Sequence, residues 1–305
     1  MKKHDLIIIG AGPAGLTAAI YAARYKLDVL IIGKLVGGLA GEAYEICNFP
    51  SYKKILGLEL MTKMINQVKE LGVEIKSEEV LDIRRQKDCF EIITDKNRYS
   101  SKKIILAIGS ERRKLGIAKE KELTGKGISY CATCDAGFYR DKIVGVVGGG
   151  DAALTSALLL TKFAKKVYII YRKEKFCKAK PTWIDEVKKN KKISPIFNSN
   201  ITKLIGEEHL EEAELSKKKK LKVDGLFVEI GNIPNTKLAE KLKVKLDCEN
   251  IAVDKKQRTN IKGIFAAGDI TNNPLKQMVT ACAEGAIAAD SVYEEISSAS
   301  LGDKN

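Results

Sequence analysis

The chain has 305 residues, 45% apolar and 30% charged, with 53 Lys and Arg against 39 Asp and Glu for a net charge of +14. That length suits two domains, and that composition excludes a wholly disordered chain. The only two histidines, His4 and His209, argue against a Ser-His-Asp triad or a multi-histidine metal site, so proton transfer falls to a carboxylate, thiol, Lys or Tyr.

Residues 5–9 read as a buried strand. The turn Gly10-Ala-Gly-Pro-Ala-Gly15, an Ala-rich helix to about Tyr25 and a second strand over 28–32 complete a βαβ unit. Lys2 and Lys3 before a mostly apolar stretch imitate a signal peptide or a membrane helix. Gly10, Gly12, Pro13 and Gly15 interrupt that stretch and suit a tight strand-to-helix turn instead. No other apolar run approaches spanning length, so the chain reads as cytoplasmic with no membrane partner.

Residues 57–71 have helical periodicity, and 73–76, 79–84 and 89–94 alternate like half-buried strands. A buried strand over 104–108 ends at Gly109, and 110–128 turn to charge and glycine, which suggests a domain crossing. A second βαβ unit follows: a strand at 143–147, Gly148-Gly-Gly150, a helix over 151–164 and a strand at 167–171. Residues 181–189 look helical, 206–222 look like a charged loop or hairpin tip, and 226–230 form a strand. The chain crosses back over 231–250. A strand at 263–267 meets Gly268-Asp269, a helix spans 277–297, and 298–305 read as a frayed tail. The expected fold is α/β with two Rossmann-like nucleotide-binding domains, one (113–242) inserted into the other (1–112 and 243–305).

In Gly10-x-Gly12-x-x-Gly15 the first glycine allows the turn. The second lets backbone approach a pyrophosphate, and the third lets helix and strand pack closely. The acid that often closes the second strand and binds a ribose is absent; Gly33-Lys34 stands there, with Gly37-Gly38 just beyond. In the second motif, Gly148-x-Gly150-x-x-Ala153, the strand ends in Tyr171-Arg172-Lys173. Two cations there suit a 2′-phosphate and so NADP(H) over NAD(H), with plain surface charge as the alternative.

Seven cysteines, five of them widely scattered, do not make a secreted disulfide framework. Cys131-Ala-Thr-Cys134-Asp135 places two thiols at disulfide-exchange spacing beside an acid, and no second CxxC or CxxH supplies the rest of a zinc site. The basic runs at 188–192 and 217–220 are not interleaved with aromatics, which argues against nucleic acid. A basic face can still steer an acidic protein partner towards the site.

Together these motifs, with Asn48-Phe-Pro50, Ala107-Ile-Gly109, Gly231-Asn-Ile-Pro-Asn-Thr236, Gly263-Ile-Phe-Ala-Ala-Gly-Asp269 and Gln277-Met-Val-Thr280, resemble the low-molecular-weight thioredoxin reductases over residues 5–296. The resemblance implies a homodimer that passes electrons from NADPH through FAD and the cysteine pair to thioredoxin or a glutaredoxin-like protein. It implies FAD contacts at Gly10, Gly12, Pro13, Ala14, Gly15, Gly33, Gly38, Asn48, Gly109, Gly268, Asp269, Gln277, Met278 and Val279. The implied NADPH contacts are Gly148, Gly150, Asp151, Ala153, Arg172 and Lys173. Cys134 would face the flavin, Cys131 would exchange with the substrate protein, and Asp135 would donate the proton. One flavin face cannot meet a nicotinamide and a disulfide at once, so hinges are expected near 110–116 and 238–246.

The chain departs from the family pattern at the nucleotide. Lys173 and Cys177 stand where arginines are usual, and Thr155 and Ser156 stand where acids are usual. NADH, a deazaflavin or reduced ferredoxin are therefore alternative donors, and a non-turnover flavin redox sensor is the alternative role.

Overall fold

The computed structural model describes residues 3–43 and 46–302. The chain divides into two compact units, Met1–Glu111 with Pro234–Asn305, and Arg112–Ile233. In chain order the first unit opens with β1 (Lys3–Ile9), α1 (Pro13–Arg24), β2 (Val29–Ile32), α2 (Gly57–Glu70), β3 (Glu74–Lys76), β4 (Val80–Arg85), β5 (Phe90–Thr94) and β6 (Arg98–Leu106). After β7 (Ser110–Arg112) come α3 (Glu120–Leu123), β8 (Ile128–Ser129), α4 (Ala132–Asp135), β9 (Ile143–Val147), α5 (Asp151–Leu160), β10 (Lys166–Ile170), α6 (Pro181–Lys189) and β11 (Ile193–Ile196). Next are β12 (Ile201–Ile205), β13 (Glu212–Leu215), β14 (Lys220–Lys222), β15 (Gly225–Val228), β16 (Asn232–Pro234) and α7 (Lys237–Lys241). The chain ends with β17 (Leu246–Asp247), β18 (Asn250–Ile251), β19 (Ile264–Ala266) and α8 (Met278–Gly302).

The first unit is built on a sheet of order β3-β2-β1-β6-β5-β4, with β19 also on β6. β1 runs parallel to both β2 and β6, and both its faces are covered. Leu6 and Ile8 join the core under α1 and α8, while Ile7 and Ile9 join the opposite core with Ile264 and Ile92. A continuous Ile run suits that position because each residue meets apolar neighbours whichever face it takes. α8 seats on α1 through Gly285, where a Cβ would stand 2.1 Å from the Ala14 carbonyl oxygen.

The second unit has an all-parallel sheet of order β11-β10-β9-β15-β8. Residues 206–222 hold the hairpin reading, with β13 and β14 paired antiparallel around 216–219. β12, β13 and β14 form an antiparallel sheet, in which Ala213, Leu215 and Leu221 turn inward between charged neighbours. β7 and β16, where the chain crosses, pair with one another. α7 belongs to the first unit and is pinned to β4 by the Lys241 ammonium, 3.2 Å from the Leu81 carbonyl and 3.7 Å from Asp82.

Two ends differ from expectation. β6 begins at Arg98 because its polar half pairs antiparallel with β5. α8 continues to Gly302, so 298–302 are helical, and the rest of the expected tail lies outside the described residues. No helix among the described residues is long and apolar enough to cross a membrane.

Candidate functional site

The first glycine turn is closed to side chains. Gly10 has φ +112°, and a Cβ on it would lie 2.2 Å from the Ala107 oxygen; one on Gly15 would lie 1.9 Å from the Gly10 oxygen. Gly12 caps α1 without a side chain, and Pro13 opens the helix. The first-turn N–H groups, including those of Ala14 and Gly15, therefore lack intrahelical partners and offer themselves to an anion. The wall of this turn is also backbone. Gly37 N–H donates to the Ala11 oxygen at 2.8 Å, and a Cβ on Gly38 would stand 3.1 Å from Gly12 Cα. A Cβ on Gly33 would meet the Ala11 nitrogen at 2.8 Å. Lys34, where a ribose-binding acid often stands, instead pairs with Glu79 at 2.6 Å.

The far end of the chain completes this site. A Cβ on Gly268 would lie 3.0 Å from Ala14 Cβ, so the Gly268-Asp269 turn abuts the start of α1. Gly268 N–H donates to Glu284 Oε2 at 2.7 Å, and Thr271 Oγ1 donates to the same oxygen at 2.9 Å. Glu284 is 7% exposed, and burial pushes its carboxyl up despite these donors. Burial also raises the carboxyl of Asp269, opposed by Lys276. Asn48 Nδ2 donates to Gln277 Oε1 at 2.6 Å. Met278 packs on the core, Val279 is exposed, and Gly109 holds a φ of +59° just before β7.

The second turn repeats the geometry with a difference. Gly148 has φ +145°, and its Cβ would strike the Glu229 oxygen at 2.1 Å; Ala153 is fully buried behind it. Gly150 caps α5 with open space where its Cβ would be. A Cβ on Gly149 would lie 2.4 Å from the Tyr171 ring, so that ring lies on the turn. Tyr171 OH is 3.3 Å from Cys177 Sγ, and Phe176 stacks on the same ring at 6.0 Å. The Tyr171 hydroxyl and then Lys173 hold the Cys177 thiol below its ordinary range. Asp151 Oδ1 accepts the Lys180 N–H at 2.7 Å, and Arg172 and Lys173 are exposed just past β10.

Cys131 and Cys134 are joined in a disulfide with Cα atoms 5.3 Å apart. Cys131 is the N-cap of α4, and its Sγ accepts the Cys134 N–H at 3.1 Å. Ser129 Oγ accepts the Cys131 N–H at 3.0 Å. Tyr130 OH donates to the buried Glu120 carboxylate, which also takes the N–H groups of Leu115 and Gly116 at 2.7 Å each. Burial pushes Glu120 up, but these donors outweigh it and hold its carboxyl below the usual range. Asp135 is half-buried, Cys134 is exposed, and Phe138 is 76% exposed.

These features can be set against known proteins. The sequence matches the pyridine nucleotide-disulphide oxidoreductase family over residues 4–285. The chain belongs to that family. It is 37% identical to a thioredoxin reductase of Listeria monocytogenes, covering 97% of this chain and 94% of that one. It is 41% identical to one of Peptoclostridium acidaminophilum, covering 94% and 95%. Its structure matches the thioredoxin reductase of Lactococcus lactis with a TM-score of 0.91 at 35% identity, covering 95% and 98%.

The chain fits the two dinucleotides of this oxidoreductase family. Around the first turn the atoms nearest a Cβ on Gly10, Gly15, Gly33 and Gly38 are backbone atoms of Ala107, Gly10, Ala11 and Gly12, and helix N–H groups are open to a pyrophosphate such as that of FAD. Around the second, Gly150 leaves open space beside the α5 N-terminus, room for the pyrophosphate of a nicotinamide dinucleotide. Glu284 was missed from sequence, although an acid inside an Ala-rich helix was a usable signal. The Tyr171–Cys177 contact was missed too, because nothing in the sequence shows that the two side chains meet.

Proposed function

We propose that this oxidoreductase is an FAD-dependent thioredoxin-disulfide reductase. It draws electrons from NADPH and passes them through Cys131 and Cys134 to oxidised thioredoxin. The observation that carries the reading is the Cys131–Cys134 disulfide at a helix N-cap, in a chain that also holds two dinucleotide turns. The likeness to thioredoxin reductases over almost the whole chain supports it.

In this reading the first unit binds FAD through Gly10, Gly12, Pro13, Ala14, Gly15, Gly33, Gly38, Asn48, Gly109, Gly268, Asp269, Gln277, Met278 and Val279. The second binds NADPH through Gly148, Gly150, Asp151, Ala153, Arg172 and Lys173. Bound FAD supplies the electron pair that opens the disulfide. Cys131 thiolate then attacks one sulfur of the partner disulfide, forming a mixed disulfide and releasing the other partner sulfur as a thiolate. Asp135, one residue past Cys134, gives that thiolate its proton. Cys134 thiolate attacks Cys131 Sγ, which frees the reduced partner and restores the Cys131–Cys134 bond. The partner is thioredoxin or a glutaredoxin-like protein.

We assign the enzyme to the cytoplasm and to a homodimer. Leu275, Val279, Ile287 and Tyr293 are exposed at and along α8, and Tyr21 is exposed on α1, which together offer an apolar face to a second copy. A second reading keeps the same disulfide chemistry with another donor: NADH, a deazaflavin or ferredoxin. It is favoured by Cys177, which stands where an arginine is usual and meets Tyr171 instead of reaching a phosphate.

The test is anaerobic reduction of the purified flavoprotein by NADPH and, separately, by NADH, followed by turnover with thioredoxin. Bleaching by NADPH with thioredoxin reduction is the expected result. Bleaching by dithionite but by neither nucleotide would reject NADPH as donor.

A further inference from the structure

The positive charge is unevenly shared. The second unit carries 26 Lys and Arg against 15 Asp and Glu, a net +11, while the first carries 27 against 24. The cations of Arg172 and Lys173 lie past the C-terminal end of β10, where a parallel sheet binds nucleotide. Another group lies at the opposite edge, where the chain enters the strands. Arg140 and Lys142 precede β9, Lys165 precedes β10, Lys166 is its first residue, and Lys191 precedes β11. Four of the five are exposed and Lys166 is half-buried.

Backbone contacts make this edge one surface. Asp141 N–H donates to the Phe163 oxygen at 3.1 Å, Lys165 N–H to the Lys142 oxygen at 2.8 Å, and Val167 N–H to the Lys192 oxygen at 3.0 Å. The Lys192 ammonium is spent on the carbonyls of Thr161 and Ala164, at 2.8 and 3.0 Å, so it caps α5 and is left out of the group. Ion pairs of this unit among the described residues include Arg112–Glu229, Lys180–Asp151 and Lys220–Glu212. The Arg140 guanidinium and the Lys142 and Lys166 ammonium groups lie over the rings of Phe163, Tyr139 and Tyr168, 5.7, 5.6 and 5.9 Å from their centroids, so each charge is held against an aromatic face. Asp141 and Asp224 are the acids in these entry segments, and Asp224 is engaged by the Ile143 N–H at 2.8 Å.

This edge begins beside the disulfide. Arg140 is six residues past Cys134, and the residues between are helical, so the separation is on the order of 10 Å. A standard interface buries about 800 Å² per partner, a disc of roughly 16 Å radius. A protein that brings its disulfide to Cys131 therefore reaches Arg140, and the lysines behind it extend the positive charge along the edge. We propose that this basic edge docks the substrate protein through an acidic surface around that protein's own disulfide. The proposal rests on the disulfide-reductase reading and adds the charge of the partner. Its main effect is on encounter, because exposed charge steers association and is screened by salt.

The experiment compares the holoenzyme with the charge-reversed variants Arg140→Glu/Lys142→Glu and Lys165→Glu/Lys191→Glu. The substrates are an acidic thioredoxin, a basic thioredoxin and the small neutral hydroxyethyl disulfide. Expected is a fall of about tenfold in kcat/KM for the acidic thioredoxin at low salt, with kcat unchanged. The fall should shrink with added salt, and flavin reduction and the neutral disulfide should be unaffected. Thioredoxin turnover that is equal for both thioredoxins and within twofold across the variants would overturn the docking proposal alone. Turnover of the neutral disulfide with neither thioredoxin reduced would overturn the reductase reading as well. Binding of a single-stranded oligonucleotide that the variants lose, with thioredoxin kinetics unchanged, would also overturn the proposal and give the edge to nucleic acid.

Discussion

Asn48 Nδ2 donates to Gln277 Oε1 at 2.6 Å across 229 residues of sequence. The contact fixes the loop that follows the first βαβ unit against the entrance of α8, two segments proposed to hold the flavin. Asn48→Ala removes one hydrogen bond, worth about 1 kcal/mol, and is expected to weaken FAD retention roughly fivefold. Flavin fluorescence released on dialysis measures this, and equal release by both proteins would show that the pair does not shape the flavin site.

The two cysteines separate by what each variant traps. Cys134→Ser is expected to lose thioredoxin turnover by a factor on the order of 10³ or more, to keep flavin reduction by the donor, and to accumulate a mixed disulfide at Cys131. Cys131→Ser should lose turnover equally and trap nothing. Mass spectrometry of the quenched reaction decides. A mixed disulfide at Cys134 in the Cys131→Ser protein would reverse the assigned roles.

At the nucleotide, Arg172→Ala is expected to raise the KM for NADPH about tenfold through loss of a charged hydrogen bond, with NADH changed less than twofold. Cys177→Arg is expected to do the reverse for NADPH, because it breaks the Tyr171 contact and restores a forked donor. Steady-state kinetics with both nucleotides test this; equal losses for NADPH and NADH in Arg172→Ala would remove the 2′-phosphate assignment.

Buried Glu284 makes stability depend on pH. Burial raises its pKa in the folded protein above the unfolded value, so its contribution is fully present below the unfolded pKa and is lost as pH rises through the folded one. Glu284→Gln has no proton to lose and can still accept from Gly268 N–H. Relative to the parent, its urea midpoint is expected to improve as pH rises above the ordinary carboxylate range, until the folded protein's Glu284 has ionised. A difference independent of pH would mean that Glu284 does not titrate in this range.

Glu120 works in the opposite sense. Its donors hold its carboxyl low, so its contribution is present above the unfolded pKa and is lost as pH falls through the folded value. Tyr130→Phe deletes one donor and is expected to cost about 1 kcal/mol at neutral pH and to start acid unfolding at a higher pH. Matched acid transitions by circular dichroism would refute this.

Much of this architecture was legible because its signals are local. An Ile run, then glycines at fixed spacing, then an Ala-rich helix can satisfy sterics in few ways, and Gly10, with φ +112° and no room for a Cβ, shows why. The CxxC spacing likewise announced a pair able to close a disulfide. The β12–β14 sheet was obscured because abundant lysine and glutamate on its outer face hid a short inward alternation. What only the tertiary structure decided are relations between distant residues. Asn48 meets Gln277, Gly268 leans on Ala14 and is held by Glu284, Tyr171 covers Gly149, and lysines from three separate strand entrances share one edge. Backbone conformation is set by neighbours in the chain and so can be read from them. Which side chains meet, and which charges gather, depends on how sheets and helices close around a core, and that closure is a property of the whole fold.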